Sequence, residues 1–278
     1  SYSAMVKLAE GTIVEIPTSI ESDFKITPEQ LEKAITPKTK LIMFSSPCNP
    51  TGTVYTKDEL KALAEVIARH ENVYIISDEI YEHINFTGQH ASMAQFDFIY
   101  DRVVTVNGLS KAYAMTGWRL GYIGAPLWIA KACDKIQGQY TSATCSITQR
   151  AAIAALEGDV ETTLTMKAAF LRRRDLVFQM MQNIKGLKFN NPQGAFYFFP
   201  DVSNYFGKTY NGNTINNADD MAMYLLNEGN LSVVTGSAFG DQNCIRFSYA
   251  TSDDKLVEAM KRLKIALEKL ITQEIPVS

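Results

Sequence analysis

Short apolar segments alternate with amphipathic ones along the first two-thirds of this 278-residue chain, and this alternation limits the fold more than any other feature. Thr56 and Glu59 have the spacing of a capping box, and Pro28 follows Thr27 at the start of another predicted helix. Strands are predicted at 40–45, 73–77, 103–106 and 120–123. Together these elements predict an α/β fold of three layers, in which helices cover a mostly parallel sheet.

The last third has a different pattern. Apolar residues at helical spacing predict a long helix over 161–184, and Leu256 to Leu270 mark an amphipathic helix near the carboxyl end. Strands are predicted at 195–199, 231–234 and 245–249, and residues 208–213 are predicted to form a polar loop. We therefore predict a large domain over residues 1–160 and a smaller α+β domain over 161–278, hinged near 158–165.

Composition excludes several classes of protein. The net charge of -3 gives no general attraction to nucleic acid or to an anionic membrane, and no apolar run reaches membrane-spanning length. The three histidines lack the spacing of a zinc site, so no metal is expected. The sequence has no Cys-x-x-Cys pair, so free thiols are expected for the four cysteines Cys48, Cys133, Cys145 and Cys244. The amino end does not resemble a leader, so a cytoplasmic location is expected for the protein.

Polar residues follow three of the predicted strands, at 46–52, 77–81 and 107–119. In open α/β sheets, ligands bind at the carboxyl ends of the strands. Each segment taken alone has an ordinary structural explanation. Asn49 fits a turn, Asp78 fits a helix cap, and Arg119 fits a surface ion pair.

Taken together, the three segments match the needs of pyridoxal chemistry. Such an enzyme needs a lysine for the cofactor aldehyde and a carboxylate at the pyridine nitrogen. It also needs hydrogen-bond donors at the phenolic oxygen, and cations or amides at the phosphate. The sequence offers, in that order of roles, Lys111, then Asp78, then Asn49 with Tyr81, then Arg119 with Ser110.

The motifs Asn-Pro-Thr-Gly, Ser-Asp-Glu-Ile-Tyr and Ser-Lys-Ala-Tyr-Ala-Met-Thr-Gly-Trp-Arg resemble those of the class I/II aminotransferases of pyridoxal-enzyme fold type I, especially the bacterial aspartate aminotransferases. The strand 245–250 is similar to the family segment whose arginine, here Arg246, clamps the substrate carboxylate. A guanidinium fork suits this task because it binds a carboxylate through two parallel hydrogen bonds. The resemblance implies pyridoxal 5′-phosphate as cofactor and a homodimer.

The resemblance also implies a reaction, the transfer of an amino group between an L-amino acid, with aspartate as the leading candidate, and a 2-oxo acid. Lys111 would hold the cofactor as a Schiff base, and its amine, once released, would move the proton from the substrate Cα as general acid–base. Arg246 and Asn49 would hold the α-carboxylate. Asp78 and Tyr81 would tune the cofactor ring throughout.

Two departures from the family pattern stand out. Family members begin well upstream of Ser1, with a glycine-containing phosphate-binding turn and an aromatic residue that stacks on the pyridine ring. The chain is therefore expected to be part of a longer enzyme, with weakened cofactor binding on its own. In addition, Gly108 stands where some relatives have a phosphate-binding serine, and Ser110 is the candidate substitute.

Two other functions are compatible with parts of the pattern. A carbon–sulfur β-lyase would use the same Lys111, Asp78 and Arg246 but eliminate from Cβ, and product analysis would separate the two enzymes. An aminotransferase-like effector-binding domain of a transcription regulator would need a DNA-binding module, which these residues do not contain.

Overall fold

The computed structural model describes residues 2–272. Its Cα positions group into two compact units. Unit 1 comprises the described residues up to Cys48 together with Thr53–Met166, and unit 2 comprises Asn49–Gly52 and the described residues from Lys167 onward. Ser1 and residues 273–278, which the predicted domain bounds include, lie outside the described residues.

Unit 1 contains a four-stranded sheet in the order β1-β2-β3-β4, counted over the described residues. The first three strands run parallel and β4 runs antiparallel to β3. The α/β fold is thus confirmed, with one antiparallel strand in a mostly parallel sheet. The strands are β1 Leu41–Ser45, β2 Tyr74–Asp78, β3 Val103–Gly108 and β4 Gly121–Gly124, and the helices are α1 Tyr2–Leu8, α2 Pro28–Ala34, α3 Lys57–Ala68, α4 Leu127–Tyr140 and α5 Ser146–Glu157.

Local sequence signals explain α2 and α3. The Thr56 side chain accepts a hydrogen bond from the Glu59 backbone N–H, and the Glu59 carboxylate accepts one from the Thr56 N–H, which completes the predicted capping box. Thr27 and Gln30 do the same for α2. The inner face of α3 packs into an apolar core with β2 and β3 through Leu60, Leu63, Ala64, Ile67, Ile75 and Val103.

The helices α4 and α5 were not predicted, and their exposure gives the reason. Among the described residues, α4 has no buried side chain, and its Leu127, Trp128 and Tyr140 are largely exposed. Because helices are predicted from the regular spacing of the apolar residues that they bury, a helix that buries no side chain gives no such pattern. No helix within residues 2–272 combines the length and the apolar content needed to cross a membrane.

Helix α6 spans Glu161–Met181, close to the predicted 161–184. Beyond it, unit 2 places β9 between β5 and β8 in one antiparallel sheet, and its second sheet has the order β10-β6-β7. The remaining elements are β5 Tyr197–Phe198, β6 Lys208–Tyr210, β7 Asn213–Thr214, α7 Ala218–Gly229, β8 Val234–Thr235, β9 Ile245–Ser248, α8 Asp253–Glu268 and β10 Ile271–Thr272.

The prediction of a polar loop at 208–213 is wrong. Strands β6 and β7 pair as a hairpin, with Tyr210 opposite Asn213. Asn211 and Gly212 both adopt positive φ, 49° and 79°, which is the backbone conformation that a two-residue hairpin turn requires. An Asn-Gly pair is typical of a hairpin turn, but the residues on either side of it are polar and lack the alternating apolar pattern of strands.

Burial of Tyr55 predicts an alkaline loss of stability. The Tyr55 ring is 8% exposed and its Oη accepts a hydrogen bond from the Ile26 N–H. Burial raises the pKa of Tyr55 from 10.0 to about 12. The neutral phenol is therefore favoured in the folded chain, and its contribution is present below pH 10 and is lost as the pH rises toward 12.

We expect Tyr55→Phe to lower the free energy of unfolding at neutral pH but to flatten its decline above pH 10. Urea unfolding at several pH values measures both effects. Tyr140→Phe is the control, because Tyr140 is 86% exposed. Equal alkaline slopes for the parent and Tyr55→Phe would contradict the assignment.

Candidate functional site

The parallel strands β2 and β3 bring two of the predicted segments to one edge of the sheet in unit 1. Their register pairs Asp78 with Val106, and the Glu79 N–H donates to the Val106 carbonyl one residue further on. Because both strands run in the same direction, the segments that follow Asp78 and Gly108 leave the sheet side by side.

Asp78 is held by two donors. The Ile80 N–H donates to Oδ1 at 3.1 Å, and the Tyr2 hydroxyl donates to Oδ2 at 2.6 Å. Burial and this bond to Asp78 raise the pKa of Tyr2 far above its usual value, so Tyr2 remains a donor. Tyr2 was not predicted as a site residue, because a contact between residues 76 positions apart leaves no local signal in the sequence.

Lys111 lies on the same edge as Asp78. Its Nζ lies 5.9 Å from the centre of the Tyr81 ring, and Tyr81 is 3% exposed. A cation over an aromatic face is stabilised by the ring quadrupole. The structure therefore brings together the predicted lysine and tyrosine, with Asp78 three residues before Tyr81 on the same strand end.

The two residues predicted to bind the phosphate, Ser110 and Arg119, are more exposed than Tyr81. Ser110 is partly exposed, one residue before Lys111. Arg119 is exposed, adopts a left-handed backbone conformation with φ of 54°, and donates from Nη1 to the Thr116 carbonyl at 2.8 Å. The Arg119 guanidinium thus binds a carbonyl of its own loop.

Gly108 is explained by the pairing of β3 with β4. It lies opposite Gly121, and a Cβ at position 108 would stand 2.8 Å from the Leu120 carbonyl oxygen and 3.0 Å from the Gly121 Cα. Both neighbours are backbone atoms, which cannot turn aside as a side chain would. A serine at position 108 therefore has no room here.

Of the remaining predicted segment, 46–52, the residues Asn49–Gly52 belong to unit 2. The Gly52 carbonyl accepts hydrogen bonds from the backbone N–H groups of Gln193 and Gly194, at 2.8 and 2.9 Å. Asn49 accepts at Oδ1 from Nη1 of Arg246 at 2.8 Å. Asn49 and Arg246, which are 197 residues apart and are both predicted to bind the substrate carboxylate, are thus in direct contact.

Two aromatic rings hold the Arg246 guanidinium. Its Cζ lies 4.5 Å from the centre of the Tyr197 ring and 4.9 Å from that of Phe239. Stacking of this kind fixes the plane of a guanidinium. The Nε of Arg246 is buried and has no hydrogen-bond partner among the described residues. A buried donor without a partner is costly, so this site is suited to an incoming acceptor such as a carboxylate.

A polar cluster not predicted from the sequence surrounds Glu79. Ligand atoms of Glu79, Glu82 and His90 lie within 4.8 Å of one another. A hydrogen bond from His83 holds the pKa of Glu82 below its usual value, against the opposing effect of burial. The cluster combines residues from the β2 end with a loop residue 11 positions from Glu79, so spacing alone did not reveal it.

Comparison with known families identifies the class of protein. The model of the family described as "Aminotransferase class I and II" matches residues 1–263, and the chain belongs to this family. The chain is 49% identical over 274 residues to an aspartate/prephenate aminotransferase of Cereibacter sphaeroides, covering 95% of this chain and 67% of that protein. It is 47% identical over 272 residues to a bifunctional aspartate aminotransferase and glutamate/aspartate-prephenate aminotransferase of Petunia hybrida, covering 96% of this chain and 57% of that protein.

Solved structures agree with this family. The aspartate aminotransferase of Rhizobium meliloti superposes with a TM-score of 0.93 at 41% identity, covering 97% of this chain and 68% of that one. The aromatic aminotransferase of Pyrococcus horikoshii gives a TM-score of 0.89 at 38% identity, covering 96% and 70%. The chain thus spans little more than half of the petunia relative and about two thirds of the others.

Substitution of Gly108 tests the close approach of β3 and β4. We expect Gly108→Ala to lower the free energy of unfolding by about 1–3 kcal/mol, because the added Cβ forces backbone atoms apart. Gly124→Ala on β4 is the matched control, since a Cβ there meets nothing within 4 Å. Chemical denaturation measures both variants, and equal losses would show that the approach is looser than described.

Proposed function

We propose that this chain forms the catalytic part of a pyridoxal 5′-phosphate-dependent aminotransferase that moves an amino group between aspartate and a 2-oxo acid. The observation that carries the proposal is the convergence of Asp78, Tyr81 and Lys111 on one sheet edge, in a member of the aminotransferase family. We also propose residues 1–160 as the cofactor-binding domain and 161–278 as the smaller domain.

The donor set of unit 1 fits the cofactor. Lys111 would hold the aldehyde carbon covalently. Asp78, already an acceptor for two donors, would accept a hydrogen bond from the pyridine nitrogen and so keep the ring protonated. Tyr81 would donate to the phenolic oxygen, and Ser110 with Arg119 would bind the phosphate. When bound, the cofactor supplies an electron sink for the pair of electrons released at the substrate Cα.

Asn49 and Arg246 would bind the substrate carboxylate. Asn49 would also donate a hydrogen bond to the phenolic oxygen of the cofactor. The Asn49 amide and the two flanking rings orient the guanidinium before substrate arrives, which lowers the entropy lost on binding. The Lys111 amine would carry the proton removed from the substrate Cα. The fixed carboxylate sets which Cα bond faces that amine.

The names of the relatives support transamination over carbon–sulfur elimination, and support aspartate as substrate. The bacterial and plant relatives are both named as aminotransferases of aspartate and prephenate. The family resemblance is the support for a homodimer acting in the cytoplasm.

Reductive labelling tests the role of Lys111. After addition of pyridoxal 5′-phosphate and borohydride, we expect mass spectrometry to find the label on the peptide that contains Lys111. Lys111→Ala should abolish this label, because an amine is required for attachment. Lys25→Ala is the control, since Lys25 is engaged with Glu59 elsewhere in unit 1.

Label spread over many lysines of the parent chain would contradict a specific cofactor site. Absence of label from the Lys111 peptide of the parent chain would overturn the proposed function.

Replacement of Arg246 tests the carboxylate clamp. Arg246→Lys keeps the charge but loses the planar fork, so we expect kcat/KM for aspartate to fall about 10- to 100-fold, mainly through a higher KM. Arg262→Lys is the matched control, because Arg262 forms an exposed pair with Glu258. An unchanged KM in Arg246→Lys would refute the clamp.

A further inference from the structure

Glu79 is a carboxylate residue buried immediately behind the proposed pyridine-binding aspartate. It follows Asp78 at the end of β2 and is 3% exposed. Its backbone N–H donates to the Val106 carbonyl at 2.9 Å, so the main chain remains tied to β3 at this residue. A buried carboxylate is costly unless donors surround it, and its position here therefore needs an explanation.

Three side chains supply those donors. Ser77 and Ser92 donate from Oγ to Oε1 of Glu79, at 2.9 and 2.7 Å. The Nε2 of His90 lies 2.7 Å from Oε2 and donates to it, because an ionised carboxylate can only accept. Both oxygens of Glu79 are thus engaged by groups of the protein.

The network lies on the opposite side of the strand from Asp78. Side chains alternate along a strand, so Ser77 and Glu79 share one face and Asp78 has the other. Ser77 and Glu79 are both buried, whereas Asp78 is half-buried. Their bonds therefore hold the residues on either side of Asp78. The peptide unit that follows Glu79 carries the Ile80 N–H that binds the Asp78 carboxylate.

A second set of bonds ties the same turn to the segment that carries Lys111. Glu82 accepts at Oε1 from Nδ2 of Asn107 at 2.8 Å and lies 3.1 Å from Nε2 of His83. The Asn107 Oδ1 in turn accepts from the Gly108 N–H at 2.8 Å. Ligand atoms of the two carboxylates and of His90 lie within 4.8 Å of one another, so the two sets of bonds are neighbours.

We propose that Glu79 and His90 are positioning residues, which fix the main chain at Asp78 and thereby the direction of its carboxylate toward the pyridine nitrogen. The inference rests on the proposed function for the identity of the ligand. Its geometry rests on the buried Glu79 carboxylate and its three donors alone. In metal sites, loss of a partner that orients a ligating side chain costs about 10- to 100-fold in metal affinity or activity, and we expect an effect of similar size here.

The test uses the full 278-residue chain with two disruptive variants, one rescue and one control. Glu79→Gln keeps the shape but removes the charge, and His90→Phe keeps the ring but removes the donor. His90→Gln returns an N–H near the position of the imidazole Nε2. His70→Phe is the control. The Nε2 of His70 forms a comparable pair with Glu32, at 3.0 Å, and this pair does not involve the residues at the end of β2.

Three measurements are made on each variant. They are the deuterium uptake of the peptide over 77–81 without cofactor, the dissociation constant of pyridoxal 5′-phosphate, and the visible absorption spectrum of the bound cofactor. We expect Glu79→Gln and His90→Phe to raise the uptake, to weaken binding about tenfold and to change the spectrum, and His90→Gln to restore all three. His70→Phe should match the parent.

The outcomes separate the two proposals. Lower stability with unchanged cofactor affinity and spectrum would overturn the positioning role and leave an ordinary buried pair. If the parent takes no cofactor on Lys111, the proposed function fails, and deuterium uptake then decides the remaining part of the inference, that Glu79 and His90 fix the main chain at Asp78. Faster exchange at 77–81 in Glu79→Gln or His90→Phe than in His70→Phe supports it, and equal exchange overturns it.

Discussion

The parallel pairing of β2 with β3 is the constraint on which the site in unit 1 depends. With Asp78 opposite Val106, a carboxylate and a lysine-bearing segment leave the sheet at the same edge. A slip of one residue would turn Asp78 into the face now held by Ser77 and Glu79, because side chains alternate along a strand. The hydrogen-bonded ladder thus determines which of three consecutive polar residues is available to a ligand.

Elements with a local sequence signal were predicted, and elements without one were not. The capping boxes at Thr27 and Thr56 act within one helical turn, so the sequence reveals them directly. The helix α4 was missed because its apolar residues are exposed instead of forming a buried face. The hairpin at Asn211 was not predicted because its strands are short and polar, so they lack the alternating apolar pattern of a half-buried strand.

The candidate site shows the same division. The sequence predicted Asp78, Tyr81 and Lys111 as site residues because they follow predicted strands. In an α/β fold, ligands bind at the carboxyl ends of the strands. The sequence could not identify Tyr2 as a partner of Asp78, since the two are 76 residues apart. Nor could it show that aromatic rings flank Arg246, because that arrangement arises only when β5, β9 and the segment before Gly240 assemble.

The missing Cβ at Gly108 has a consequence for how related sequences can interchange. The obstacle to a side chain there is the backbone of Leu120 and Gly121, on a different strand. A serine grafted from a relative would therefore fit only together with changes that move β4. Exchange of residues between family members at position 108 is therefore expected to require a compensating change in the strand that faces it.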